Sequence, residues 1–393
     1  MTPSARLSAA ISLLDDIISG EPAERGLTRW ARQNRYAGSK DRAAVRDIVF
    51  DCLRQKRSLA HLAGSMSGRG LVLAHQFNSG EDVACLFTGK RFAPEPLIDD
   101  ELTRLGNAPG ASLPVELNFP DFLLPELMRS LGDQLPAVME AMAKRAPVDL
   151  RVNSLKATID DATRMLARDL IFTEPHDLSK SALRITQNPR KLARSLAYDY
   201  GLVELQDVSS QAVAAFCMAK PGMKVLDYCA GGGGKTLALA ADMAGAGVLL
   251  AHDVNARRMK DLPERARRAG ATVQVLSSEA LVQNNPICDL VVVDAPCTGT
   301  GAWRRNPDAK WRMDQEFINK VTSLQSQILD SAARYVRTGG TLAYATCSIL
   351  SIENKDQVNA FLDRNDDWTL EAELSLTPLQ GGDGFYCVRL RLK

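Results

Sequence analysis

From residue 209 onward, short apolar runs alternate with amphipathic stretches, and this alternation restricts the possible folds more than any other feature of the chain. The runs are "MKVLDYC", "GVLLAHD", "TVQVL", "CDLVVVDAP" and "GGTLAYATC". Between and after them lie "GGKTLALAADMAG", "NARRMKDLPERARRAG", a long helical stretch through 313–336, and "SIENKDQVNAFLDRN". Strands that are apolar almost without interruption are buried on both faces, which calls for a mostly parallel sheet with helices on each side. The expected fold class is α/β. Ligands of such sheets bind beyond the carboxyl ends of the strands. Two cysteines fall at that edge, Cys297 in "VVVDAPCTGTG" and Cys347 in "YATCS", each opening a polar loop.

The first hundred residues have a different texture. Leu7, Ala10, Ile11, Leu14, Ile17 and Ile18 recur at three- and four-residue steps, as do Val45, Ile48, Val49 and Leu53, so this part is helical. The Gly- and Pro-rich stretch 104–120 reads as a linker. Two further helices follow, then a strand "VDLRVNSLK" and a small mixed α/β piece over 157–205. No apolar run reaches the roughly 18 residues that would span a bilayer, and Asp15 and Asp16 interrupt the apolar N-terminus, so a membrane span and a signal peptide are both excluded as expectations. Eight cysteines without a CxxC pair argue against a disulfide framework or a zinc site and for a reducing cytoplasm; no metal is expected. Net charge is +1; residues 1–60 hold 11 Lys or Arg against 7 Asp or Glu, but on charge alone "RGLTRWARQNRYAGSKDR" reads as a solvated helix face rather than a phosphate contact.

Between the first apolar run and its helix stands Asp227-Tyr228-Cys229-Ala230-Gly231-Gly232-Gly233-Gly234-Lys235-Thr236. Glycines let the backbone turn sharply and approach a ligand, and the helix start offers free N–H groups. A phosphate loop would need glycine where Cys229 stands, and the dinucleotide pattern fails because Lys235 and Thr236 follow the last glycine. An S-adenosylmethionine site fits better, since that cofactor has no pyrophosphate. Asp253, at the end of the next strand, is placed to hold ribose hydroxyls.

A thiol beside such a cofactor permits one particular chemistry. Carbon 5 of a pyrimidine is a poor nucleophile until a thiolate adds to carbon 6, so covalent catalysis splits one hard step into two. Asp294 in "DAPC" can stabilise the ring at nitrogen 3, and a second thiol can help the closing elimination. Which thiol attacks is not decided by these residues. Cys52, Cys85, Cys217, Cys288 and Cys387 read as packing residues.

"DYCAGGGGKT", "DAPCTGTGAWRRNPDAKWR" and "YATCSILSIEN", in this order, closely resemble the Sun/Fmu (RsmB-like) family of RNA cytosine-C5 methyltransferases, with "LRVNSLK" and "VELQDVSSQ" as further points of likeness. The resemblance covers roughly residues 116–393 and implies a Rossmann-like class I methyltransferase sheet, preceded by an all-α NusB-like RNA-binding domain. It implies domains at 1–103 (helical), 104–120 (linker), 121–205 (a small α/β RNA-binding or connecting subdomain) and 206–393 (methyltransferase). It further implies methyl transfer from S-adenosylmethionine to a cytosine, most readily in small-subunit ribosomal RNA with transfer RNA as the alternative, by a cytoplasmic monomer. Cys347 resembles the nucleophile, Cys297 the thiol that assists product release, and Asp294 the carboxylate on the target base. Cys229, Ala230, Gly231, Gly232, Gly233, Gly234, Lys235, Asp253 and Asp294 resemble cofactor-site residues. Two departures stand out: Gly231-Gly232 replaces the family's Ala-Pro, and Ser278-Glu279-Ala280 replaces Gly-Asp-Ala, making Glu279 the residue to meet the adenine. Beside the "DAPC" loop, Arg304, Arg305, Lys310 and Arg312 are expected to neutralise RNA phosphates, with Trp303 and Trp311 to pack or stack.

Overall fold

The computed structural model describes all 393 residues, which divide into two compact units. One unit comprises Met1–Pro125, Asp133–Arg145 and Trp303–Met313 and contains no strand. Its core is carried by helices Pro3–Ile18, Ala23–Gln33, Ser39–Arg54, Lys56–Ala63 and Gly68–Asn78. Their limits follow from local chemistry. Thr2 caps the first helix by accepting from the Ala5 N–H, with Pro3 in its first turn, and Ser67 caps the fifth. Gly64, at φ +63°, ends the fourth. The apolar stripes meet inside: Leu7, Leu14, Val45, Val49, Leu53, Leu59 and Leu71 are all buried, each leucine contributing about 2 kcal/mol. A Cβ at Gly68 would lie 2.1 Å from the Ile11 carbonyl oxygen, so glycine is what lets these two helices approach.

The stretch 104–120 is no open linker, and this corrects the sequence expectation. Residues Leu113–Glu116 are helical, Phe119 is fully buried, and the Asn118 side chain accepts from the N–H groups of Arg57 and Ser58. Its Gly and Pro residues shape turns, while its few apolar side chains anchor it to the helical core. Among the cysteines, Cys85 is exposed rather than packed, its thiol 3.0 Å from Asp82 Oδ2.

The other unit comprises Glu126–Gly132, Ala146–Ala302 and Asp314–Lys393 and holds two sheets. The smaller is antiparallel, built from β1 (Asp149–Val152), β2 (Phe172–His176), β3 (Ser179–Gln187) and β4 (Val203–Leu205) in the order β2-β3-β1-β4, with helix Ile159–Arg168 beside it. The larger has seven strands. Five run parallel: β5 (Lys224–Asp227), β6 (Val248–His252), β7 (Gln274–Leu276), β8 (Cys288–Asp294) and β9 (Val336–Thr346). Two more, β10 (Trp368–Leu376) and β11 (Phe385–Leu392), pair antiparallel at the β9 side, giving the order β10-β11-β9-β8-β5-β6-β7. Helices Gly234–Asp242, Leu262–Ala269 and Gln315–Ala333 belong to this sheet's connections, and residues such as Leu226, Val291, Val292, Leu342 and Ala343 are wholly buried. The α/β expectation holds, with one antiparallel hairpin added at the edge.

In the larger sheet, β8 lies between β5 and β9. That order brings the loops after Asp227, Asp294 and Thr346 to one edge, the carboxyl ends of three neighbouring strands.

Candidate active site

The loop after β5 is shaped by two left-handed glycines, Gly231 at φ +53° and Gly233 at φ +82°. At Gly233 a Cβ would sit 2.3 Å from Leu262 Cδ1, so only glycine fits. The Ala230 N–H donates to the His252 carbonyl at 2.8 Å, and the Gly231 N–H donates to Asp253 Oδ2 at 3.0 Å. Asp253 is buried at the end of β6; its Oδ1 accepts from the Asn255 N–H at 2.8 Å, and Arg258 lies 3.2 Å from Oδ2. His252 is a structural link, one ring nitrogen 2.8 Å from the Tyr228 carbonyl and the other 3.0 Å from Ser278 Oγ.

Asp227 is fully buried at the end of β5. Thr236 Oγ1 donates to its Oδ2 at 2.6 Å, while Oδ1 has no partner within the protein. Burial pushes its carboxyl up to about 7, the Thr236 hydrogen bond pulls the other way, and the neighbouring Asp294 raises it further. Lys235 is buried in the first turn of helix Gly234–Asp242. Its Nζ lies 2.7 Å from Asp294 Oδ2 and 4.9 Å from the centre of the Phe385 ring. Burial disfavours the ammonium, but the Asp294 pair outweighs it and holds Lys235 above the usual lysine range. A lysine committed in this way is not free to cradle a nucleotide phosphate, which sets the phosphate-loop reading aside.

The two thiols meet. Cys297 Sγ and Cys347 Sγ are 3.2 Å apart, and the parallel register of Asp294 with Ala345 places their loops side by side. The hydrogen bond to Cys347 and burial both push the Cys297 thiol well above its ordinary range, so Cys297 keeps its proton at neutral pH. The Gly301 N–H donates to the Cys347 carbonyl at 2.9 Å, a further tie between the two loops. Cys229 is half-buried in the glycine loop, its thiol pushed up mainly by burial.

The structure thus brings Lys235, Asp294, Cys297 and Cys347 into one cluster and Gly231, Gly233 and Asp253 into a second, both at the same sheet edge. Glu279 is exposed in the first turn of helix Ser278–Asn284. Asp227, with its orphaned oxygen, was not singled out from sequence, although every strand of this kind that ends in a carboxylate invites the question. The donor set suits a cationic ligand bearing vicinal hydroxyls: Asp227, Asp253 and Asp294 surround a loop whose glycines expose backbone.

The basic segment after the "DAPC" loop corrects an expectation. Trp303–Met313 belongs to the helical unit. Lys310 is only 1% exposed; its Nζ donates to the Arg54 carbonyl at 3.1 Å and lies 4.6 Å from the centre of the Trp311 ring. Burial lowers its ammonium to about 7, with Arg54 adding to the effect. Trp311 Nε1 donates to the Leu53 carbonyl and Arg54 Nε to the Arg304 carbonyl. The segment therefore satisfies the last carbonyls of helix Ser39–Arg54, as terminal carbonyls require. Lys310 and Arg304 are buried and do not face a phosphate; Arg305 and Arg312 are exposed, and Arg312 pairs with Asp308 at 2.8 Å.

Comparison with known proteins agrees with this geometry. Residues 215–387 match the sequence model described as 16S rRNA methyltransferase RsmB/F, and residues 119–190 match the ferredoxin-like domain of the RsmF/B-like methyltransferases. The Ribosomal RNA small subunit methyltransferase B of Photorhabdus laumondii is 34% identical over 283 residues, covering 69% of this chain and 66% of that protein. The enzyme of the same name from Citrobacter koseri is 35% identical over the same shares, so the matched stretch is just under two-thirds of each relative's length. Among solved structures, a methyltransferase homolog protein from Pyrococcus horikoshii is 25% identical with a TM-score of 0.64, covering 71% of this chain and 97% of the other.

Proposed function

The chain belongs to the RsmB/F family of 16S rRNA methyltransferases, and from that premise we propose that it methylates carbon 5 of a cytosine in small-subunit ribosomal RNA, using S-adenosylmethionine. The observation that carries the reading is the pair of thiols 3.2 Å apart, beside a buried lysine–aspartate pair, at the ends of adjacent strands.

The cofactor's residues are those of the glycine loop. Asp253 is positioned for the ribose hydroxyls, the backbone of Ala230–Gly234 for close approach, and the orphaned Asp227 Oδ1 for a cationic donor. When bound, the cofactor supplies an electrophilic methyl group. The protein's own groups do the rest. Cys347 gives up its proton to solvent and adds through sulfur to carbon 6 of the ring, and the electron pair of the 5,6 double bond becomes available at carbon 5. Asp294, held at Oδ2 by Lys235, is available to accept a hydrogen bond from the ring edge once nitrogen 3 carries a proton, and so to stabilise that protonated form. After carbon 5 is methylated its proton leaves to a solvent water, the double bond re-forms, and the bond to Cys347 Sγ breaks with its electron pair staying on sulfur. Cys297, a thiol that keeps its proton in the resting protein, stands against Cys347 and is placed to assist this release.

RNA contact finds support in the helical unit. Arg32, Arg35, Arg42 and Arg46 line a cavity of about 470 Å³ together with Trp30, a cationic and aromatic surface of the kind that tracks a nucleic acid backbone. No helix is long and apolar enough to cross a membrane. Bisulfite sequencing of ribosomal and transfer RNA from cells lacking the gene tests the substrate: one 5-methylcytosine is expected to vanish from small-subunit ribosomal RNA. Loss confined to transfer RNA would overturn the substrate while leaving the chemistry in place.

A further inference from the structure

Glu353 is fully buried, yet none of its four hydrogen-bond donors is charged. The Thr298 N–H donates to Oε2 at 2.8 Å and Gln325 Nε2 donates to the same oxygen at 3.0 Å. The hydroxyls of Thr298 and Ser348 both donate to Oε1. A buried carboxylate costs several kcal/mol of desolvation unless its acceptor sites are filled, and here every site is used on two particular loops.

Those loops are the two that carry the thiols. Thr298 directly follows Cys297 and Ser348 directly follows Cys347. Gln325, which binds Glu353, also donates to the carbonyl of Pro296, the residue before Cys297, at 3.0 Å. Asn354, next to Glu353, donates to the Ser348 carbonyl at 2.9 Å and accepts from the hydroxyl of Thr346, the residue before Cys347. Each cysteine is therefore gripped on both sides by a set of side chains that converges on Glu353 and Asn354. The hydroxyl of Tyr344, on β9, donates to the Glu353 carbonyl at 2.7 Å and fixes the clamp to the sheet.

We propose that Glu353 is a positioning residue that locks the Cys297 and Cys347 loops in register, so that the two thiols act on the same ring in succession. This rests on the reading of both cysteines as reacting groups. Glu353 makes no hydrogen bond to either thiol; it acts mainly through the residues that flank them, its charge adding only a lesser upward push on the Cys297 thiol. Its geometry, rather than its charge, is the operative property. A glutamine can retain the same four contacts, because the hydroxyls of Thr298 and Ser348 can turn to accept from its amide, whereas an alanine releases both loops.

The test uses the full-length protein, its RNA and S-adenosylmethionine. Glu353→Ala is expected to lower kcat at least about tenfold, since small misplacements of reacting groups are costly, while the Kd for the cofactor and the KM for RNA change less than about twofold. Glu353→Gln is expected to keep most of the activity. A second readout follows geometry directly: diamide, reduced to its hydrazine as it oxidises the thiol pair, should join Cys297 and Cys347 more slowly in Glu353→Ala, as read by mass spectrometry. Should Glu353→Ala not fold, Thr298→Val and Ser348→Ala, which remove one hydroxyl each, carry the test and should each lower kcat at unchanged cofactor affinity. Wild-type kcat in the alanine variant, or in both hydroxyl variants, would overturn the proposal, as would a glutamine variant as inactive as the alanine one. Absence of methyl transfer by the unaltered protein would instead strike at the proposed function, so the two failures are distinguishable.

Discussion

Asp253→Asn is the most informative single substitution at the cofactor loop, because it changes charge and hydrogen bonding while leaving volume almost constant. The carboxylate is 3% exposed, and its two oxygens accept from two different backbone N–H groups, Asn255 at 2.8 Å and Gly231 at 3.0 Å. An asparagine has one acceptor. Whichever way the amide is turned, its NH2 faces a backbone N–H, leaving two donors opposed in a buried place. An unmet buried donor costs about 1–3 kcal/mol, so the cofactor-free protein should melt several degrees lower. Arg258, 58% exposed, adds little to this sum because solvent screens it. On the proposed role of Asp253, a charge-assisted bond to the ribose is lost as well, worth about 1.5–3 kcal/mol, which is an increase in Kd of roughly 10- to 150-fold. Titration calorimetry with S-adenosylmethionine measures the second effect and scanning calorimetry of the free protein the first. A lower melting temperature with unchanged Kd would make Asp253 a brace for the turn alone and remove it from the cofactor site.

Gly231→Ala should destabilise the protein by about 1 kcal/mol, the cost of a left-handed backbone for an L-residue, because the only close atom to the new Cβ is the end of the exposed Arg258 side chain. Gly233→Ala should cost more, since its Cβ runs into the buried Leu262, and calorimetry finding the reverse order would refute this account of the loop. Asp227→Asn concerns pH. The folded carboxyl is raised from 3.8 to about 7, so it contributes stability that is full below about 3.8 and lost as pH rises through about 7. The asparagine variant has no such proton to lose. It should gain on the wild type in melting temperature from pH 4 to pH 8, and a difference independent of pH would contradict the assignment.

The parallel core was legible because strands buried on both faces must be apolar along their whole length; "CDLVVVDAP" and "GGTLAYATC" announce themselves. The edge hairpin lay outside that signal: "WTLEAELSL" alternates strictly, as a half-buried strand does, and in β10 only Trp368 and Leu376 are buried, as its place at the sheet edge requires. Spacing and resemblance single out residues in glycine- and cysteine-containing motifs, and the fold brings these to one sheet edge. Lys310 could not, because composition makes a basic loop look like a phosphate contact. Its burial depends on helix Ser39–Arg54, some 250 residues away, needing a donor for its last carbonyls. Glu353 was hidden for the same reason. Nothing local distinguishes it from any other glutamate, and its role exists only once Thr298, Gln325 and Ser348 are folded around it.

On the proposed mechanism the two touching thiols divide the chemistry, with Cys347 attacking and Cys297 releasing. Incubating the full-length protein with its RNA and S-adenosylmethionine and resolving the products by denaturing gel electrophoresis tests it directly. Cys297→Ala should still attack and methylate but fail to let go, leaving a protein–RNA adduct that survives denaturation. Cys347→Ala should form no adduct and transfer no methyl group, and the double variant should match it. An adduct from Cys347→Ala and none from Cys297→Ala would reverse the roles, and methylation intact in both variants would contradict the account altogether.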